Sequence, residues 1–460
     1  MPLIKSISGI RGTIGERVGE DLTPQDIVLY TTSYALWIKN NSNKENNKIV
    51  VGRDARISGE MVQGFVINTL ISLGFDVVSL NLSTTPTVEI AVPIEKADGG
   101  IIITASHNPM NWNALKLLNS KGEFLSSSDG KEVLKIAETC HNELNKTKKT
   151  GELVEKDNYI DIHIDNILNL NLVDVESIKK KNYKIVVDAV NSTGGIAVPK
   201  LLEKLGVDVV KLYCDPTGIF PHNPEPLKEN IYDLSNLVIK EGANLGILVD
   251  PDVDRLAFVC ENGDVFGEEY TLVACSDYVL SLQPGSTVSN LSSTRALNDI
   301  SNKYNCEYNS SAVGEVNVVE MMKKTKAIIG GEGNGGIILP QLHYGRDALL
   351  GIALFLSHLS NSGLKCSDLR KTYPNYFMSK KKIEIDINFK YNKMISYFKT
   401  KYSTEKINLI DGLKIDFLNS WVQLRKSNTE PIIRIYSEAK TQDLADNIAD
   451  KFINEIEAIR

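Results

Sequence analysis

The feature that most constrains this chain is a recurring unit: a short apolar, β-rich run that ends in a polar loop and alternates with a helical stretch. Residues 48–52 run into Arg53, Asp54 and Arg56, Ile101-Ile102-Ile103 into Thr104, Ala105 and Ser106, residues 183–188 into the loop 191–195, and residues 245–249 into Asp250. Strands alternating with helices predict α/β units with mostly parallel sheets, and ligands collect in loops at the carboxyl ends of such strands. At 460 residues the chain is too long for one core and calls for three or four domains. The pattern predicts helices over 21–39 and 59–73, a strand over 75–80, a helix start at Thr84, and helix plus linker over 131–157. Units are expected at 1–150, 151–258 and 259–370. From 371 the character changes: alternating segments at 380–386, 413–424 and 432–437 predict an antiparallel sheet, followed by a helix over 441–459. No sequence-level repeat is visible.

Ser106 stands at a strand end beside His107, ten residues before Lys116, and Pro109 stops the strand. It is a nucleophile candidate, although a capping turn accounts for Ser-x-Asn-Pro equally well. Arg11, between Gly9 and Gly12, is either a solvated turn residue or one that lies close to a ligand. Asp250, Asp252 and Asp254 follow a buried strand at alternate positions, and three carboxylates there repel one another unless a hard cation such as Mg²⁺ neutralises them. An EF-hand fails on Arg255, which takes the position that needs glycine.

Gly331, Gly333 and Gly336 satisfy G-x-G-x-x-G, but Ile337-Ile338-Leu339-Pro340 follows instead of a helix, which argues against a dinucleotide. A loop offering Glu332 and Asn334 to sugar hydroxyls fits better. Between Trp421 and Arg434, two arginines, a lysine, two hydroxyls and an amide make a donor set suited to a phosphate dianion. The net charge of −7 argues against nucleic acid while leaving a small anionic substrate open to a local basic cluster. Six scattered cysteines without C-x-x-C read as reduced thiols. Without a signal-peptide h-region or an apolar run of bilayer length, the expectation is a cytoplasmic protein with no membrane partner, a monomer or homodimer.

The ordered set Thr-Ala-Ser-His-Asn-Pro (104–109), Asp-Pro-Asp-Val-Asp-Arg (250–255), Gly-Glu-Gly-Asn-Gly (331–335) and Arg-Lys-Ser-Asn-Thr-Glu-Pro (425–431) resembles the four active-site loops of the α-D-phosphohexomutases. The Ser-Gly-Ile-Arg-Gly start at 8–12 is similar to that family too. The resemblance implies four domains, three α/β and, over 371–460, an α+β domain with an antiparallel sheet, each giving a loop to one cleft. It implies that Ser106 carries a phosphoryl group, that Mg²⁺ is held by Asp250, Asp252 and Asp254 together with phosphorylated Ser106, and that Arg11, His107 and Lys116 line the reaction centre. Glu332 and Asn334 would face the sugar. Arg425, Ser427, Asn428, Thr429 and Arg434 would hold the phosphate that is not reacting.

The implied reaction interconverts 6-phospho and 1-phospho sugars through a sugar 1,6-bisphosphate. Lys116 is the acid/base candidate, a role that requires Arg11, Arg53 or the metal to lower its pKa. Asn334 and Gly336 depart from the family's Glu-x-Ser-Gly-His loop, and Asn428 is nearer to phosphomannomutase/phosphoglucomutase members. The serine loop is similar to the bacterial phosphoglucosamine mutase branch, so glucosamine phosphate, feeding amino-sugar nucleotide and cell-wall precursor synthesis, is the expected substrate, with mannose or glucose phosphate as the alternative. A metal-dependent sugar phosphatase would need a second metal set, and the six histidines show no clustering in the sequence. A non-catalytic sugar-phosphate binder would not need Ser106 and the Asp triad together.

Overall fold

The computed structural model describes residues 3–6, 9–41, 46–139, 149–386, 389–427 and 431–459. Four sheets follow one another along the chain. The first contains β1 (Ile4–Ser6), β2 (Gly9–Thr13), β3 (Lys48–Arg53), β4 (Asp76–Leu82), β5 (Gly99–Ile103), β6 (Trp112–Leu118) and β7 (Leu153–Glu155). The second contains β8 (Lys184–Asp188), β9 (Asp208–Leu212), β10 (Leu245–Val249) and β11 (Leu256–Cys260), and the third β12 (Thr287–Asn290), β13 (Tyr308–Ser311), β14 (Ile329–Glu332) and β15 (Gly336–Ile338). In the fourth are β16 (Phe377–Glu384), β17 (Lys406–Asn408), β18 (Leu413–Asp416), β19 (Trp421–Lys426) and β20 (Ile432–Ala439).

The first three sheets share one topology. Their strand orders contain β4-β3-β5-β6, β9-β8-β10-β11 and β13-β12-β14-β15, so each unit runs second, first, third, fourth. Within each, the first three strands are parallel and the fourth turns back antiparallel on the third. The turn between third and fourth strands is thus pinned at both ends by ladder pairs: Ile103 with Leu115, Val249 with Leu256, Glu332 with Gly336. Those turns carry Ser106, the Asp triad and Asn334. The repeat is one of backbone path, which explains why residue identities did not reveal it.

The fourth sheet, β16-β20-β19-β18-β17, is antiparallel throughout. Segment 413–424, read as one run, is two strands, β18 and the start of β19, paired with each other. Leu153–Glu155 pairs with β4 and carries the first sheet past residue 150, while β11 spans residue 258.

The helix Ala348–Ser362 is apolar on nearly every side and accordingly buried, sharing one core with the second and third units. Phe258 of β11 stacks on Phe355 of this helix with ring centroids 3.9 Å apart. Packing of this kind fixes the two units as a platform for their loops. No helix among the described residues is long and apolar enough to cross a membrane.

Candidate active site

Ser106 has φ +48°, a left-handed backbone that costs a non-glycine residue energy and persists where surroundings enforce it. The enforcing group is Arg56, 1% exposed. Its five N–H donors are all used: Nε to Asp54 Oδ2, Nη1 to the carbonyls of Pro109 and Trp112, Nη2 to those of Ser106 and Asn108. Thr104 Oγ1 accepts from the Ser106 N–H at 2.9 Å and donates to Asp54 at 2.7 Å. The basic loop after β3 is therefore a brace for the serine turn. From that turn the Ser106 hydroxyl donates to Asp250 Oδ2 at 2.7 Å.

Asp250, Asp252 and Asp254 are fully buried, with ligand atoms within 4.8 Å of one another. Val253 between them has φ +63°, rare for a β-branched residue; its side chain is buried in the core, which anchors the loop. Asp250 Oδ1 accepts from the N–H groups of Asp254 and Arg255, both at 3.1 Å. Asp252 Oδ2 accepts from Thr85 Oγ1 at 2.5 Å and Lys116 Nζ at 2.6 Å; Asp254 Oδ2 meets Arg346 at 2.8 Å and Lys116 at 3.4 Å. Asp252 Oδ1 and Asp254 Oδ1 are buried without a hydrogen bond. Burial, then repulsion from Asp254 and Asp252, pushes the Asp250 carboxyl well above the usual range. Unsatisfied carboxylate oxygens in a crowded, dry acidic cluster are the donor set of a hard divalent cation, so these residues fit Mg²⁺.

Lys116 corrects an expectation. Burial depresses its ammonium pKa, but Asp252 and Asp254 outweigh that and hold it above the ordinary lysine range. Arg53 is turned to Gln63 at 2.9 Å instead. His107 goes the other way: burial, then Arg255, lowers it to about 2, so its imidazole is neutral at pH 7. Arg11 lies in β2 rather than a turn, reaching Asn108 Oδ1 at 3.4 Å. Gly9 has to be glycine there, because its φ is +117° and a Cβ would lie 2.3 Å from the Leu115 carbonyl oxygen.

Glu332 is 5% exposed and not free for a sugar as the structure stands. Oε1 accepts from Asn290 at 2.8 Å and the Gly314 N–H at 3.0 Å, and Oε2 accepts from Arg346 at 2.9 Å. Asn334 Oδ1 accepts from the Gly336 N–H at 3.2 Å. Arg425 and Arg434 are directly opposite across β19 and β20, and Lys382 is opposite Arg434 on β16. Like charges in such a row repel, which favours an anion over it. Arg425 is bonded to Asp411, Nε to Oδ1 at 3.0 Å. The Ser427 N–H donates to the Ile432 carbonyl at 3.0 Å. Asn428 and Thr429 lie outside the described residues. A cleft of about 1510 Å³ reaches from His107 to Arg434, past Glu225, Glu269 and Lys380.

Sequence reasoning missed Arg56, Thr85, Glu225 and Arg346. Glu225, from the proline-rich connection, holds Arg255 Nη1 at 3.0 Å. Arg346 links Asp254, Glu332 and Glu315, joining the acidic loop to the sugar loop.

Four family descriptions match in order: phosphoglucomutase/phosphomannomutase alpha/beta/alpha domain I over residues 4–143, domain II over 161–263, domain III over 267–376, and the C-terminal domain over 386–455. The chain is 36% identical over 442 residues to a phosphoglucomutase/phosphomannomutase of Thermococcus kodakarensis, covering 94% of this chain and 95% of that one. It is 31% identical over 450 residues to a probable phosphoglucosamine mutase of Methanopyrus kandleri, covering 97% and 96%. A solved phosphoglucomutase/phosphomannomutase family protein from Burkholderia thailandensis superposes with a TM-score of 0.84 at 24% identity over 99% of this chain and 98% of that one, which speaks to the fold.

Proposed function

The chain belongs to the phosphoglucomutase/phosphomannomutase family, whose members are phosphohexomutases, and from that premise we propose that it interconverts glucosamine 6-phosphate and glucosamine 1-phosphate through phosphorylated Ser106. The observation that carries the reading is the Ser106 hydroxyl bonded to Asp250 Oδ2 inside a buried carboxylate triad. A hydroxyl held this way suits phosphoryl transfer, not a capping turn.

Phosphoserine-106 passes its phosphoryl group to the free sugar hydroxyl: the P–Oγ bond breaks, a P–O bond to the sugar forms, and the hydroxyl proton leaves as Oγ is reprotonated. Asp250, Asp252, Asp254 and phosphorylated Ser106 would hold Mg²⁺, which when bound offsets charge on the transferring group. Lys116 enters this centre carrying its proton, 2.6 Å from Asp252 Oδ2, and its ammonium supplies fixed positive charge beside the transferring group rather than a readily donated proton. The Arg425–Arg434 row receives the other phosphate, and the bisphosphate turns within the cleft before returning a phosphoryl group to Ser106.

Glu268 and Glu438 on the cleft wall offer carboxylates to an amino sugar's ammonium, with Lys380 3.8 Å from Glu268 on the same wall. The Methanopyrus relative's name agrees with this choice, while the Thermococcus relative's favours glucose or mannose phosphate. Coupled assays with glucosamine, glucose and mannose 6-phosphates decide between them. The highest kcat/KM is expected for glucosamine 6-phosphate, and a clear preference for either neutral sugar overturns the substrate while leaving the mechanism.

A further inference from the structure

The histidines scattered in sequence are not all scattered in space. His163 on the helix Tyr159–Leu168, and His343 and Asp347 just before the helix Ala348–Ser362, place ligand atoms within 4.8 Å of one another. His163 Nε2 is 2.8 Å from Asp347 Oδ2, and His343 Nε2 is 3.2 Å from the same oxygen. His163 and Asp347 are fully buried. We infer that His163, His343 and Asp347 form a second metal site, one for a divalent transition-metal ion, Zn²⁺ above all, which pins the first three units together behind the catalytic loops.

Three observations carry this. The donor set is two imidazoles and one carboxylate, which suits zinc and its neighbours rather than Mg²⁺. The outer faces of both rings are furnished: Thr87 Oγ1 lies 2.9 Å from His163 Nδ1 and Glu89 Oε2 lies 3.1 Å from His343 Nδ1, the kind of partners that orient metal-bound imidazoles. His343 is the charge partner of both carboxylates as the structure stands, its Nδ1 3.1 Å from Glu89 Oε2 and its Nε2 3.2 Å from Asp347 Oδ2. Glu89 and Asp347 are 1% and 0% exposed, and among the described residues neither has an ion pair with lysine or arginine. A divalent cation between neutral imidazoles supplies the same counter-charge that these buried carboxylates need.

The position gives the site its consequence. Thr85, on the same helix as Thr87 and Glu89, holds Asp252, and Arg346, next to Asp347, holds Asp254. A cation here fixes the backbones from which both contacts to the acidic loop are made.

The test uses the full chain, stripped with chelator, loaded with Zn²⁺ in excess Mg²⁺ and desalted, with metal content read by plasma mass spectrometry. Wild type and Asp250→Asn should retain about one zinc per chain, and His163→Asn and His343→Asn should retain almost none. Co²⁺ in wild type should give the visible bands of a low-symmetry nitrogen/oxygen site, and Zn²⁺ should raise the wild-type Tm. Failure of wild type to retain zinc overturns the inference without recourse to any variant. Retention that survives in both histidine variants, or is lost only in Asp250→Asn, also overturns it.

Discussion

The Ser106 hydroxyl donates to Asp250 Oδ2 at 2.7 Å, joining residues 144 positions apart and two units of the chain. The contact exists because two equivalent hairpin turns, β5 to β6 and β10 to β11, are each pinned by a ladder pair at their base. Neither turn is positioned by its own sequence alone. The serine turn depends on Arg56 and the acidic turn on the burial of Val253.

Arg56→Met leaves Asp54 buried without its ion pair and takes one donor away from each of four carbonyls. Loss of a buried ion-pair partner costs about 3–5 kcal/mol, to be read from urea unfolding. Arg56→Lys should not restore stability, since an ammonium cannot reproduce the planar fork.

Arg346→Lys keeps the charge but loses simultaneous contact with Asp254, Glu332 and Glu315. Steady-state kinetics should show kcat down about 10–100-fold, the usual scale for a residue that orients metal ligands, with a smaller change in KM. Equal losses in kcat and in folding stability, with correct metal affinity, would reduce Arg346 to a structural role.

Lys414 supplies a pH signature of the contact between the third and fourth units. It is 6% exposed, donates to the Leu291 carbonyl at 2.8 Å and lies 4.1 Å over the Trp421 ring. Burial lowers its pKa to about 8, against partial compensation by Asp416 and Glu438. Between that value and 10.5 the unfolded state binds more protons than the folded one, so stability rises with pH across this window. The full effect is about 3 kcal/mol, and the rise should vanish in Lys414→Met when unfolding is followed at several pH values.

The chemistry was legible in the sequence where it is local: the serine turn, the Asp triad and the Arg425 to Arg434 hairpin each sit within one short stretch. What the sequence hid is what joins one loop to another. Arg56 reads as an ordinary basic loop residue until four of its five donors are seen to reach carbonyls of the next loop along the sheet. Arg346 carries no motif, although it touches both the metal loop and the sugar loop. An acid/base role for Lys116 requires a lowered pKa, and the carboxylates that raise it instead lie 136 and 138 residues away, beyond any local pattern. The antiparallel sheet was visible from alternation, but the break between β18 and β19 was not, since residues 417–420 continue an apolar-polar mix without glycine or proline.

The most direct measurement of the central claim is peptide mass spectrometry of the chain after incubation with a hexose 1,6-bisphosphate and Mg²⁺. The account predicts one phosphoryl group on the peptide containing Ser106, discharged by hexose 6-phosphate and absent from Ser106→Ala, which should also lose turnover by about four orders of magnitude. A phosphoryl group on another residue, or full mutase turnover in Ser106→Ala, would contradict it.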